Sequence, residues 1–215
     1  MDSALAIIGG ADGPASLFLS SGGSMLLTGL AVVAAYFMGN LSPAILISRA
    51  RGADIRQAGS GNAGTTNMLR VYGRKAAAAT LLIDVLKGVG AVLLGSAAGG
   101  PSAAYLCADA VILGHIWPVL YGFRGGKGIA TALGVLLAVS LPVGLLTAAA
   151  ALTVIALTRR VSAGSMAGAA AAPVLVYHII PPFLPYCLVL VSMVVFKHRE
   201  NIKRILKGEE PRIKL

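Results

Sequence analysis

Residues 129–158 read IATALGVLLAVSLPVGLLTAAAALTVIALT, 30 consecutive residues without a charge, closed by Lys127 on one side and Arg159-Arg160 on the other. A bilayer is crossed by ~20 apolar residues, so this stretch is too long for one upright span and long enough for two short ones. Pro142 divides it, because a proline has no amide hydrogen to continue a helix. The stretch predicts two helices, Ile129–Leu141 and Val143–Thr158, that traverse a membrane and return.

The same pattern extends in both directions. Met25–Ser48, interrupted by Asn40, Ser42 and Pro43, predicts a first span; Lys75–Ala97 and Ser102–Tyr121 predict the second and third. Val161–His178 and Phe183–Phe196 complete the set. The expected fold is therefore an all-α integral membrane protein, a compact bundle of about seven transmembrane helices. Mean hydropathy of +0.83, with 57% hydrophobic and 12% charged residues, excludes an ordinary soluble domain. Alanine and glycine crowd the spans, as at Ala76–Ala79 and Ala167–Ala172, which favours close helix contact in lipid.

Charge sets the orientation. Of 18 Lys and Arg residues, all but Lys87 fall at 49–75, 124–127, 159–160 and 197–214. With seven spans these segments share one face, while the opposite connections near 98–101, 141–142 and 179–182 carry none. Cationic loops stay on the cytoplasmic side, so the N-terminus is expected outside and the C-terminus in the cytoplasm. The net charge of +10 thus marks a membrane face and not a nucleic-acid partner. Residues 1–24 read as an N-terminal extension, since Asp2 stands where a cleavable signal would carry basic residues. Residues 25–215 read as one membrane domain. Cys107 and Cys187 sit in apolar runs without ligand spacing and read as packed thiols.

Three of the basic segments carry polar residues at loop-like spacing. Ser60-Gly61-Asn62-Ala63-Gly64-Thr65-Thr66-Asn67, followed by Arg70, places amides, hydroxyls and carboxamides in a short turn suited to an anion; Thr65, Thr66 and Asn67 are expected to cap the next helix. A lone stretch of this composition is more often a plain polar turn. Gly125-Gly126-Lys127-Gly128 lies where a loop enters the fourth helix, whose N-terminal amides and dipole favour anions. It is no Walker A loop, because Tyr121 occupies the first glycine position and Gly128 replaces Ser/Thr. In the third segment, His198, Asn201 and Ile202 share a helix face by their i, i+3, i+4 spacing. The plainer reading there is a basic amphipathic tail on anionic headgroups, which leaves His198 and Asn201 without a task.

Taken together, SGNxGxTN at 60–67, GHxxPxxxxFxGGKGxAT at 114–131 and HxxNIxRxxxGxE at 198–210 resemble the three cytoplasmic motifs of the bacterial acyl-phosphate-dependent glycerol-3-phosphate acyltransferases, the PlsY family. Glu210 fits the last position, and Glu209 falls one residue earlier. Asp54-Ile55-Arg56 and Leu82–Gly88 extend the likeness over roughly residues 40–210. The resemblance implies acyl transfer from acyl phosphate to the 1-hydroxyl of sn-glycerol 3-phosphate, giving lysophosphatidate and phosphate, the first step of bacterial phospholipid synthesis. It implies the bacterial cytoplasmic (inner) membrane, a site facing the cytoplasm, no cofactor or metal, and a functional link to an acyl-phosphate-forming enzyme.

On that reading Ser60, Gly61, Asn62, Gly64, Asn67 and Arg70 hold the acyl phosphate. Gly126, Lys127 and Gly128 bind glycerol 3-phosphate together with His198 and Asn201. The residues expected to carry the reaction are His198, Asn201, Lys127 and Ser60, with His115 and Thr131 in support. An acyl phosphate has a good leaving group, so positioning and charge stabilisation suffice without an acyl-enzyme. The sequence has no GxSxG elbow: Ala58 and Asn62 flank Ser60 where glycines belong. Nor is any histidine followed by an aspartate five positions on, with four residues between; Leu120, Phe183 and Lys203 occupy those places. Asp84 and Lys87, one turn apart, are expected to form a local ion pair or to partner motif residues, with Asp109 in the same polar network. The rival from another class is a transporter of a phosphate-bearing solute; gathering of the motifs at one face and the lack of an inverted repeat weigh against it. A CDP-alcohol phosphotransferase would need an aspartate-rich metal motif, which is absent.

Overall fold

The computed structural model describes residues 25–213, so the extension over 1–24 lies outside the described residues. Among these there are eight α-helices, three short 3-10 turns and no strand. The helices are α1 (Met25–Asn40), α2 (Pro43–Arg49), α3 (Thr65–Ile116), α4 (Ile129–Val139), α5 (Leu141–Thr158), α6 (Val161–Ile179), α7 (Leu184–Lys197) and α8 (Arg199–Leu206).

As a straight rod the 52 residues of α3 would be about 78 Å long, at 1.5 Å per residue. Two breaks fold it. Gly99 (φ −166°, ψ 27°) and Gly100 (φ 69°, ψ −157°) leave the helical region just before Pro101. A Cβ added to Gly95 would meet the Ala103 carbonyl oxygen at 2.5 Å, so the segments on either side lie against each other. Gly73 (φ 80°) separates a first, short piece from the second. The chain thus contains apolar helical segments at all seven predicted places. The stretches 65–121 and 141–158 pass as spans by length and hydropathy, and α1–α2 and α7–α8 pass when each bent pair is taken together.

The predicted boundaries shift in three places. The expected single helix Met25–Ser48 breaks at Leu41-Ser42, because Pro43 offers no amide to the carbonyl four residues back. Ser42 caps the new helix by accepting from Ile45 N, and α2 departs at 42° to α1. The third span ends at Ile116 and not Tyr121, since Trp117-Pro118 interrupts it before a 3-10 turn at Val119–Tyr121. The divide between α4 and α5 is Ser140; Pro142 lies within the first turn of α5, where its missing amide costs nothing.

Glycines set the closest crossings. Gly39 of α1 rests on the backbone of Val111, Gly114 and His115, and Gly114 rests on the Tyr36 carbonyl. Gly88 meets the Thr131 carbonyl of α4, and Gly134 meets that of Val85. Any side chain at these points would overlap backbone, so the small residues bring the helices together by dispersion. α3 packs chiefly on α1 and α4, α5 pairs with α6, and α6 leads to α7. The main core runs through Ala35, Val111, Ile112, Val135, Phe183 and Leu190. A second small core of Ile45, Ile55, Ala63 and Met68 sits beneath the first polar loop.

Candidate active site

The loop from Asp54 to Gly64 is held from below. Asn67 is buried, accepts from Ser60 N at 2.8 Å through Oδ1, and donates from Nδ2 to the carbonyls of Ala58 (2.9 Å) and Ile55 (3.2 Å). Its carboxamide therefore shapes the turn that carries Ser60–Gly64. Gly64, and not a threonine, occupies the N-cap of α3, so the expected Thr/Asn cap is not formed. Among the described residues the Ser60 hydroxyl, the Asn62 carboxamide and the Arg70 guanidinium make no hydrogen bond or ion pair. They remain available to a ligand. Arg56 grips Asp54 through both carboxylate oxygens and donates to the Tyr121 carbonyl at 2.8 Å, tying this loop to the next. The bond from Arg56, outweighing burial, lowers Asp54 to about 2.

The Gly125–Gly128 turn lies directly against that loop. A Cβ on Gly126 would strike His115 Nε2 and meet the Ala63 carbonyl oxygen at 2.7 Å, so only glycine admits both neighbours. Gly128 (φ 85°) caps α4 in the left-handed region, which glycine adopts without strain. His115 and Thr131 are buried behind the turn, with Thr131 Oγ1 3.3 Å from His115 Nδ1.

The third segment closes the site. Lys127 Nζ donates to Asn201 Oδ1. Asn201 Nδ2 donates to Glu210 Oε1 at 2.6 Å, Ser162 Oγ to the same oxygen at 2.7 Å, and Arg204 Nε to Glu210 Oε2 at 2.7 Å. Arg160 holds the Gly208 and Glu210 carbonyls, and Ile213 N donates to Arg159 O, so the chain beyond α8 is strapped to the α5–α6 junction. His198 is buried where α7 turns by 62° into α8, and its Nδ1–H donates to the Val194 carbonyl at 2.8 Å. That bond leaves Nε2 as the free acceptor.

Burial lowers Lys127 to about 8; Glu210 opposes the shift, while Arg204, Lys197 and Arg70 add to it. His198 is lowered to about 4, first by burial, with the Val194 bond and Glu210 opposing and Lys127 adding. Burial would raise Glu210, but the bonds from Ser162, Asn201 and Arg204 prevail and hold it below the usual glutamate value. The result is a cationic recess lined by amides and carboxamides, suited to phosphate dianions.

An apolar groove leads away from it between α4, α5, α6 and α7. It starts at Ile129 and Val194, which adjoin Gly128 and bond His198 respectively, and passes Ala169 to reach Leu136, Ala172 and Leu190. Asp84 and Lys87 pair at 2.7 Å, as expected from their spacing, and Asp84 also lies 3.4 Å from His115 Nδ1. Asp109 does not join them; its buried Oδ1 has no hydrogen-bond partner among the described residues. No cluster of three or more His, Cys, Asp or Glu suited to a metal occurs among the described residues.

The structure thus brings the three motifs to one end of the bundle. Sequence reasoning missed the part of Ser162 and Arg160, which lie outside every motif, and left Glu210 without a role. Only the motif spacing ending at Glu210 hinted at it.

Residues 29–208 match the glycerol-3-phosphate acyltransferase family profile. A glycerol-3-phosphate acyltransferase of Thermoanaerobacter sp. (strain X514) is 45% identical over 187 residues, 86% of this chain and 94% of that one. The glycerol 3-phosphate form of PlsY (YgiH), an integral membrane glycerol 3-phosphate acyltransferase, superposes with a TM-score of 0.83 at 34% identity, covering 87% of this chain and 96% of that one. Its lysophosphatidic acid form superposes with a TM-score of 0.81, also at 34% identity, covering 87% and 95%. The extent of these matches, in sequence and in fold, shows that the chain belongs to the glycerol-3-phosphate acyltransferase family.

Proposed function

We propose that this membrane protein transfers a fatty acyl group from acyl phosphate to the 1-hydroxyl of sn-glycerol 3-phosphate, releasing lysophosphatidate and phosphate. The observation that carries this reading is the meeting of three distant segments: the Ala63 carbonyl against Gly126, and Lys127 on Asn201. Such a site offers two neighbouring places for phosphate and one apolar groove, which is what the two substrates require.

Ser60, Gly61, Asn62, Gly64 and Arg70 hold the acyl phosphate headgroup, on a turn fixed by Asn67, while the acyl chain lies along the Ile129–Leu136 groove. Gly126, Lys127 and Gly128 bind glycerol 3-phosphate. His198 Nε2 and Asn201 orient the acceptor so that its 1-hydroxyl faces the acyl carbonyl. As the C–O bond to glycerol forms, the bond to phosphate breaks, and the departing phosphate carries charge that Lys127 and Arg70 stabilise. The hydroxyl proton leaves to His198 Nε2 or to a substrate phosphate oxygen.

The basic loops face the cytoplasm of a bacterial cell by the charge asymmetry, with the C-terminus inside and the N-terminus outside. The donor then comes from an acyl-phosphate-forming enzyme on that side. Purified protein given palmitoyl phosphate tests the reading. Phosphate release that depends on glycerol 3-phosphate and is matched by lysophosphatidate supports it. Well-folded protein that turns over acyl-CoA but not acyl phosphate overturns the donor, and no acceptor-dependent turnover with either overturns the reaction.

A further inference from the structure

Lys87 sits where a helix has come apart. Gly39 O would normally accept from the amide four residues on, but that residue is Pro43, and Ile45 N turns to Ser42 Oγ instead of Leu41 O. Lys87 Nζ supplies both lost bonds, at 3.1 Å to Gly39 O and 2.7 Å to Leu41 O. This accounts for the lysine. Asp84 balances that buried charge at 2.7 Å, and the same Oδ1 also lies 3.4 Å from His115 Nδ1, a contact the ion pair alone does not require.

His115 is more than nine-tenths buried. Its Nδ1 faces Asp84 and the Thr131 hydroxyl, and its Nε2 faces Gly126, in the turn beside Lys127. A carboxylate next to one ring nitrogen favours the proton there and leaves the lone pair on the other. We propose that Asp84, steadied by Lys87, is a positioning residue for the reaction: it holds His115 with the proton on Nδ1, so that Nε2 accepts a hydrogen bond from glycerol 3-phosphate bound at the Gly126 turn. The inference rests on the acyl-transfer reading above for the identity of that ligand. Through it the break between α1 and α2 is joined to the substrate turn by one chain of polar contacts.

The test pairs kinetics with spectroscopy on the detergent-solubilised full chain. Nitrogen-15 histidine spectra, assigned by His178→Gln and His198→Gln variants among the three histidines, report the His115 tautomer without substrate. We expect the Nδ1–H form in the wild type and a shift toward Nε2–H in Asp84→Asn. That variant should lose at least ~10-fold in kcat/KM for glycerol 3-phosphate, with KM for palmitoyl phosphate unchanged. In a His115→Gln background the Asp84→Asn change should cost no further activity, while its effect on thermal stability persists. Should Asp84→Asn fail to fold, Thr131→Val removes the other group beside Nδ1 and leaves the carboxylate in place, so it should keep the Nδ1–H form; a shift to Nε2–H in that variant would assign the tautomer to Thr131 and overturn the inference. An unchanged tautomer in Asp84→Asn, or activity losses that simply add, would overturn it as well. A wild-type protein without glycerol 3-phosphate-dependent turnover would count against the acyl-transfer reading, and the tautomer would still decide the role of Asp84.

Discussion

Asn201 Nδ2 donates to Glu210 Oε1 at 2.6 Å, and this bond decides which way the carboxamide faces: its oxygen is left for Lys127. Glu210 in turn has Ser162 and Arg204 on its remaining lone pairs. Replacing Asn201 by Ala frees Lys127 and leaves a buried carboxylate short of a donor. We expect a loss on the order of 10²-fold in kcat/KM, equivalent to about 2.7 kcal/mol. Glu210→Gln weakens the strap itself, because the amide can no longer accept from all three partners. Its expected signature is a stability loss of about 1–3 kcal/mol, seen as a lower unfolding midpoint in detergent. Unchanged midpoint and activity would remove Glu210 from the site.

Lys127 gives the site a basic limit. With its pKa lowered to about 8, chiefly by burial, the ammonium is intact at neutral pH and is lost as pH rises through 8. In the free enzyme this governs kcat/KM. The profile for glycerol 3-phosphate should therefore fall above pH 8, well below where an exposed lysine would titrate. Lys127→Arg should retain part of the activity and lose that limb, since a guanidinium stays charged. A profile flat to pH 9.5 in the wild type would contradict the assignment.

The seven apolar segments were legible because charge exclusion from lipid and the ~20-residue length of a span leave little freedom. Their ends were less so. Trp117-Pro118 ends α3 five residues before the predicted boundary, and Ser42-Pro43 splits the first span, where the polar interruptions at Asn40 and Ser42 were too short to outweigh the apolar residues on either side. The motifs marked Lys127, His198 and Asn201, which meet in space. Composition could not separate Ser60, with a free hydroxyl, from Asn67, whose carboxamide is spent on the loop backbone. Ser162 was invisible for a physical reason: a serine on a small-residue helix reads as packing until Glu210 is folded back onto it.

His198 should behave as a neutral group. Its pKa near 4 lies below the ordinary histidine value, so the unfolded chain binds the extra proton first. Its contribution to stability is then complete above about pH 6.5 and is lost as pH falls toward 4. The unfolding midpoint of the wild type should drop across that window, and a His198→Gln variant should drop less. For activity, Gln offers a carbonyl oxygen near the place of Nε2, whereas Ala offers nothing. We expect Gln to retain measurable turnover and Ala to lose ~10²-fold or more. Equal activity of the two variants would mean that Nε2 has no part in orienting the acceptor.

The groove makes a prediction about the donor alone. From Ile129 to Leu136 it spans seven residues of α4, about 10 Å at 1.5 Å per residue. Ala169 lies partway along its wall on α6 and is only half-buried, so a larger side chain there projects into the groove with little disturbance of the core. Ala169→Phe should displace the distal part of a long acyl chain. At ~0.8 kcal/mol per methylene, excluding about four methylenes weakens binding by ~3 kcal/mol, on the order of 10²-fold in kcat/KM for palmitoyl phosphate. Octanoyl phosphate, too short to reach the obstruction, should be affected far less, and KM for glycerol 3-phosphate should hold. Equal losses with both donors would place the acyl chain elsewhere on the bundle.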